Sequence, residues 1–280
     1  MIAKNFQIEK TPLSGERRFM QLIVDAVGRL RLGEAIHFKN LTMFPVLNGG
    51  RIQADYLALD EALAAGCARV TELVGAKQNR VLNLSILAPA GKTVVIPVSC
   101  VEAGRWSHRS AAFTSAPRAQ YAGGRAKKMA QVTDSLRSEG CRTSNQREVW
   151  ADIDLKAARM QAHSPTDAMS AIYEAHQTNL EDFVRAFFAT ENQAGALFAI
   201  NEVITGLDLF DCSETLRKLF PKLVRSYALD ALDALHQLPD TQAKPPIRER
   251  AEGFLGWVAS ARAETFPAIG QGEDVRLTAT

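Results

Sequence analysis

Hydrophobic residues recur at helical spacing over residues 14–31, where Phe19, Met20, Leu22, Ile23, Ala26, Val27 and Leu30 form one stripe behind Ser14 as a cap. The next apolar run, LTMFPVL at 41–47, is β-like, broken by Pro45 and followed by the turn signal Asn48-Gly49-Gly50. YLALDEALAAGCARVTEL, residues 56–73, starts extended and becomes helical around Asp60, with Leu63, Val70 and Leu73 as its core stripe. In VLNLSILAPAGKTVVIPVSCV two apolar runs flank Pro89-Ala90-Gly91-Lys92, which reads as a hairpin loop. Pro97 in the second run suits an edge or bulge position.

Residues 123–160 read as helical with a break near Gly140. One helix is expected from about 165 to 189, capped by Ser164-Pro165, with Met169, Ile172, Tyr173, His176, Leu180, Phe183, Val184 and Phe187 on its apolar stripe. ALFAINEVITGLDLF reads as a second hairpin turning at Asn201-Glu202. A helical pattern then runs to about residue 236, divided by Pro221. Residues 239–250 read as a linker, GFLGWVASARAETF as a last short helix, and GQGEDVRLTAT as a loose tail or a closing strand. Two hairpins separated by helices predict an α+β fold, with β-hairpins forming a mixed or antiparallel sheet packed by several helices. The expected organisation is an N-terminal helical extension, 1–33, and a single α+β domain, 34–280.

A formal net charge of +2 argues against a polyanion binder as a whole. The charge is uneven: between Arg105 and Arg147 the residues Arg109, Arg118, Arg125, Lys127, Lys128, Arg137 and Arg142 face only Asp134 and Glu139. Such a stretch is either a solvated helix face or a patch for phosphates, and nucleic acid ranks last among the partners it suggests. Cys67, Cys100, Cys141 and Cys212 have no CxxC pairing, so neither a zinc site nor a disulfide framework follows, and each reads as a reduced, mostly buried small hydrophobe. MIAKNFQIEK has no leader-like apolar core and no run reaches membrane-spanning length, which makes a membrane role unexpected and the cytoplasm the expected compartment. GxGxxG, the Walker loop, HExxH and GxSxG are all missing, and the five histidines are dispersed. No metal or cofactor is implied. His176, alone on an apolar stripe, reads as a packed and hydrogen-bonded histidine.

The unusual chemistry lies at the mouth of the first hairpin. Its strands bring GAKQNRVLN, 75–83, beside SCVEAGRW, 99–106, so that Gln78, Asn79, Arg80 and Asn83 can neighbour Ser99, Cys100, Glu102, Arg105 and Trp106. Arg80 and Arg105 have planar forks suited to a phosphate or carboxylate. Glu102 can serve as a general base or bind a ribose hydroxyl pair, Trp106 can stack on a ring, and Gln78, Asn79 and Asn83 can read polar edges. The alternative is a clasp in which Glu102 pairs with Arg80 or Arg105 and pins the hairpin, with the amides satisfying backbone groups. Cys100 lacks a nearby histidine to make it a nucleophile. Asp208, between apolar residues at a strand end, needs a partner; Arg80 or Arg105 would link the two hairpins, while Asp211 or Ser213 can cap the following helix.

LTMFPVL, YLALDEAL, GAKQNRVLNLSIL, PVSCVEAGRW, GALFAINEVITGLDLF and FPKLVRSYALDAL, in that order, resemble the ARPP-1 family over roughly residues 34–276. That family is a domain of unknown activity associated with ADP-ribosylglycohydrolase, rhodanese and phosphatase proteins. The resemblance implies a role near NAD-derived or ADP-ribose-like compounds, with a phosphorylated small molecule as the partner. It assigns no reaction, and the hairpin-mouth residues enter it as motif positions only.

Overall fold

The computed structural model describes residues 25–47, 51–72, 83–87, 93–104, 112–113, 115–237, 248–270 and 272–278. The fold is α+β. At its centre LTMFPVL forms β3 (Leu41–Leu47), which pairs antiparallel with β8 (Gln193–Ile200). On its other side β3 pairs with β1 (Arg31–Leu32) and β2 (Ile36–Phe38), and β9 (Val203–Leu209) closes the far edge beyond β8. Leu41, Met43, Ala196 and Phe198 face one core, while Phe44, Val46 and Leu197 face a second core with Val27, Leu30, Ala251 and Leu255. Burial on both faces explains why β3 and β8 read as continuous apolar runs rather than alternating ones.

Pro45 does not break β3. Its carbonyl accepts from Gly33 N at 2.7 Å, so its ring nitrogen points to the same side, where β2 pairing at residues 41–43 gives way to β1 pairing at 46–47. The missing N–H falls where the ladder is already interrupted.

The expected first hairpin is present as β5 (Asn83–Leu87) and β6 (Thr93–Pro97), and it belongs to a different sheet. That sheet has the order β6-β5-β4-β7, with β4 (Arg69–Glu72) and β7 (Ala112–Phe113), so Pro97 does sit on an edge strand. The helix expected from Asp60 through Leu73 is only α1 (Leu59–Ala64). Gly66, at φ 67°, ends it, and Arg69–Glu72 is drawn into the ladder with β5. The hairpin loop at 89–92 and the residues around Ser14 lie outside the described residues.

The break at Gly140 is a left-handed C-cap at φ 67°, separating α2 (Ala122–Glu139) from α3 (Gln146–Arg159). The single helix expected over 165–189 is two, α4 (Met169–Ala175) and α5 (Gln177–Ala186). Ser164 Oγ accepts from the amides of Thr166 and Ala168, holding a turn that delays the helix start to Met169. His176 leaves helical geometry at the junction, donating from Nε2 to Met160 O at 2.9 Å and packing edge-on against His236. It is the packed histidine its stripe predicted.

Pro221, expected to divide the next helix, lies within an unbroken α6 (Ser213–Gln237). The proline is exposed, so the carbonyl it leaves unpaired faces water, and buried Leu216, Phe220, Leu223 and Val224 hold both halves on the sheet. After α7 (Arg248–Ser260), ARAETF does not continue the helix. Arg262–Pro267 is β10, paired along its length with β11 (Glu273–Thr278), the closing strand the tail allowed. The four cysteines form no disulfide among the described residues, and only Cys100 and Cys212 are buried; Cys67 and Cys141 are exposed, contrary to expectation.

The helical layer is held by buried charge. Lys156 on α3, with its side chain 5% exposed, reaches Asp230 and Asp233 of α6 at 2.7 Å each. Arg159 holds Asp233 with two hydrogen bonds, and Asp230 accepts from Gly123 N at the start of α2. Burial opposes ionisation of Asp233, but Arg159 and Lys156 prevail and hold its carboxyl at about 2. Nearby, Tyr227 of α6 stacks on Phe198 and donates to Asp208, which Arg125 of α2 also grips at 3.0 Å.

Two outcomes follow. A carboxyl whose folded pKa is depressed stabilises the fold above its unfolded value and loses that contribution as pH falls through the folded value. Urea unfolding between pH 5 and 2 should therefore show about 2 kcal/mol of acid-dependent stability that Asp233→Asn lacks. A Cβ at Gly206 would overlap the Tyr227 hydroxyl, and that ring is clamped by Phe198, Asp208 and Arg125. Gly206→Ala should cost about 2 kcal/mol in the same titration at neutral pH.

Candidate functional site

Behind the first hairpin, residues 99–104 dock on the loop between α3 and α4. Gln146 brackets Cys100, accepting from its amide at 2.8 Å and donating to its carbonyl at 2.7 Å. Ser99 and Ser144 share a hydrogen bond at 2.8 Å. Val101 O accepts from Met169 N at 2.9 Å, and Gly104 N donates to Thr166 O at 2.8 Å. A Cβ on Gly104 would lie 2.8 Å from Thr166 Cα, so this approach of two backbones requires glycine. The Glu102 carboxylate accepts the Thr166 hydroxyl at 2.6 Å. Among the described residues no arginine pairs with it.

Cys100 is 8% exposed and its thiol donates to Glu102 O at 3.1 Å, the behaviour of a packed thiol. Gln78, Asn79, Arg80, Arg105 and Trp106 lie outside the described residues; Asn83 is placed by its backbone alone, opposite Pro97. Arg105 is the next residue in the chain after Gly104.

The loop that Glu102 grips is one wall of an open pocket of about 690 Å³. Ala157 and Ala171 line it from α3 and α4, with Asp154, His163, Ser164 and Asp167 among its polar lining. Alanines at these positions leave the space; the carboxylates and hydroxyl supply acceptors for ligand hydroxyls.

The basic stretch is not a free patch. Arg118 pairs with Glu174, Arg125 with Asp208, Lys127 with Asp152, Arg137 with Glu264 and Arg142 with Asp274. Local sequence hides this, because every partner is remote in the chain. Asp208 has the partner it needed in Arg125 of α2; Arg80 and Arg105, the partners expected for it, lie outside the described residues. Capping of α6 also differs from expectation. Cys212 Sγ accepts from Thr215 N at 3.3 Å, while Asp211 turns away to Arg51 and Tyr56. Tyr56 and Arg51 hold the Asp211 carboxyl below its usual range. Burial pushes the Cys212 thiol up, and the hydrogen bonds from Thr215 and the Glu214 amide outweigh it, leaving the thiol below its ordinary value.

The chain matches the ARG and Rhodanese-Phosphatase-superfamily-associated Protein domain, ARPP-1, over residues 29–75 and 71–280. The chain belongs to the ARPP-1 family. Neither the curated proteins nor the solved structures yield a match. The ARPP-1 match thus takes in the central sheet, the hairpin mouth, the pocket and the buried charge network. No helix among the described residues is long and apolar enough to cross a membrane.

The cap geometry of the ARPP-1 domain can be checked directly. Cys212→Ser should keep the Thr215 amide satisfied and unfold within about 0.5 kcal/mol of the parent, whereas Cys212→Ala should lose about 1 kcal/mol. Equal losses in both variants by urea titration would contradict capping by the thiol.

Proposed function

We propose that this ARPP-1 domain is a cytoplasmic binding domain for a phosphorylated nucleoside or an ADP-ribose-like small molecule, seated where the hairpin mouth meets the α3–α4 loop. The observation that carries the reading is the pocket walled by the loop to which Glu102 and Gly104 are bonded. Its size suits a nucleotide-scale ligand. Its polar lining is richer in carboxylates than in cations, which suits ribose hydroxyls and leaves the phosphate to other groups. In this reading Arg80 and Arg105 hold the phosphate, Glu102 is the ribose contact or general base, and Trp106 is the stacking wall. Gln78, Asn79 and Asn83 read the polar edges of the ligand.

A second reading is favoured by the bonds themselves. The Glu102–Thr166, Gly104–Thr166 and Val101–Met169 contacts form a clasp that holds the 99–104 segment on the helical layer without any ligand. Isothermal titration and thermal shift with ADP-ribose, NAD and AMP separate the two. The binding reading expects a saturable rise in Tm that Arg105→Ala weakens at least about tenfold at unchanged stability. No binding by any of the three ligands, together with loss of stability in Glu102→Gln, would replace it by the clasp. Product release from bound ligand that Glu102→Gln abolishes would add hydrolysis to the binding role.

A further inference from the structure

Another face of α4 borders a second cleft, separate from the pocket beside the α3–α4 loop. It has a volume of about 210 Å³ and is lined by Arg118, Tyr173, Glu174, Leu180, Glu181 and Arg225, among others. The floor is apolar, since Tyr173 and Leu180 are almost wholly buried. The rim carries two guanidinium groups and two carboxylates.

The guanidinium groups are the fixed members of the rim. Arg118 donates to Ser170 O at 3.2 Å and to Glu174 at 3.1 Å, and lies 6.0 Å from the Tyr173 ring centre. Arg225 donates through Nε and Nη2 to one oxygen of Glu181, at 3.1 and 2.7 Å. Its Nη1 reaches Pro117 O only at 3.5 Å, the outer limit of a hydrogen bond, so that donor is the most weakly used. Pro117 precedes Arg118, so both guanidinium groups border one wall. The carboxylates are the looser members: the Glu174 side chain is 60% exposed against 24% for Arg118, and Glu181 37% against 22% for Arg225. Exposed ion pairs of this kind contribute little to stability, so their exchange for ligand pairs costs little.

The charge balance selects the ligand. Two positive and two negative groups around one small cleft repel half of any dianion and half of any dication. A compact group carrying both signs satisfies all four. The volume falls below the range of about 300–1,000 Å³ typical of drug-sized ligand pockets, too small for a nucleotide. We propose that this cleft binds a free α-amino acid of compact side chain. Its carboxylate lies against Arg118 and Arg225, its ammonium between Glu174 and Glu181, and its side chain over Leu180 and Tyr173.

The full chain is screened by thermal shift against the standard L-amino acids. Each hit is then titrated by calorimetry beside its decarboxylated amine, its des-amino acid and inorganic phosphate. At least one amino acid should bind with a Kd of about 1 mM or tighter, with amine, acid and phosphate each weaker by about tenfold or more. Arg225→Gln should weaken the amino acid at least about tenfold. Should that variant lose its circular dichroism spectrum, Glu181→Gln decides, with a similar loss of affinity expected at native spectrum. Phosphate or either half-ligand binding as tightly as the amino acid would overturn the proposal. So would the absence of any amino-acid binding up to about 10 mM, or unchanged affinity in a folded variant.

Discussion

Lys156 places an ammonium group where water does not reach, and the helical layer is arranged around that fact. An unpaired buried charge is too costly to retain, so Asp230 and Asp233 must stand within hydrogen-bond reach on α6, and they do. Asp230 in turn accepts from the amide at the start of α2, and Asp233 is gripped by Arg159 one turn along α3. Lys156 also lies 4.5 Å from the centre of the Tyr121 ring, whose hydroxyl bonds Asp152. Three helices are thereby fixed relative to one another by groups that cannot part singly. A hydrophobic core of the same helices would stick; this one also sets register, because a one-turn slip of α3 would leave the ammonium without carboxylates.

What that register fixes is the ground beneath both clefts. α3 supplies one wall of the larger pocket, and the loop leaving α3 supplies the next. α4, which follows that loop, borders the larger pocket through Ala171 and the arginine-lined cleft through Tyr173 and Glu174. α6 carries Arg225 on one turn and Asp230 and Asp233 on the next two. The charge network therefore shares a helix with each candidate site. Both clefts inherit their geometry from it rather than from the loops alone.

The sequence revealed local order well and remote order poorly, for a physical reason. Hairpins announce themselves by turn residues between apolar runs, and both β5–β6 and β8–β9 were legible that way. The glycine at 140 was legible because only a left-handed residue ends α2 there. Pro45 and Pro221 misled, because whether a missing N–H matters depends on what faces it, and that is tertiary information. The pairing of β3 with β8 joins segments about 150 residues apart and leaves no local trace. The same holds for the charges. Arg118, Arg125, Arg137 and Arg142 looked like a patch only because their carboxylates lie elsewhere in the chain. Asp230 and Asp233 offered one unused signal: two aspartates three residues apart inside an apolar helical stripe. At the hairpin mouth the hydrogen bond from Thr166 to Glu102 joins residues 64 apart and left no local trace either.

The helical layer depends on the coupling between Lys156 and Asp233. A double-mutant cycle with Lys156→Met, Asp233→Leu and the pair, read by urea unfolding at neutral pH, measures it directly. Asp233→Leu leaves Lys156 to Asp230, and Lys156→Met leaves Asp233 to Arg159, so each single change should cost about 2 kcal/mol, while the double variant should cost clearly less than their sum, a coupling of about 1 kcal/mol or more. Single losses that add to within about 0.5 kcal/mol would show that the two groups are neighbours without being partners, and would contradict the account.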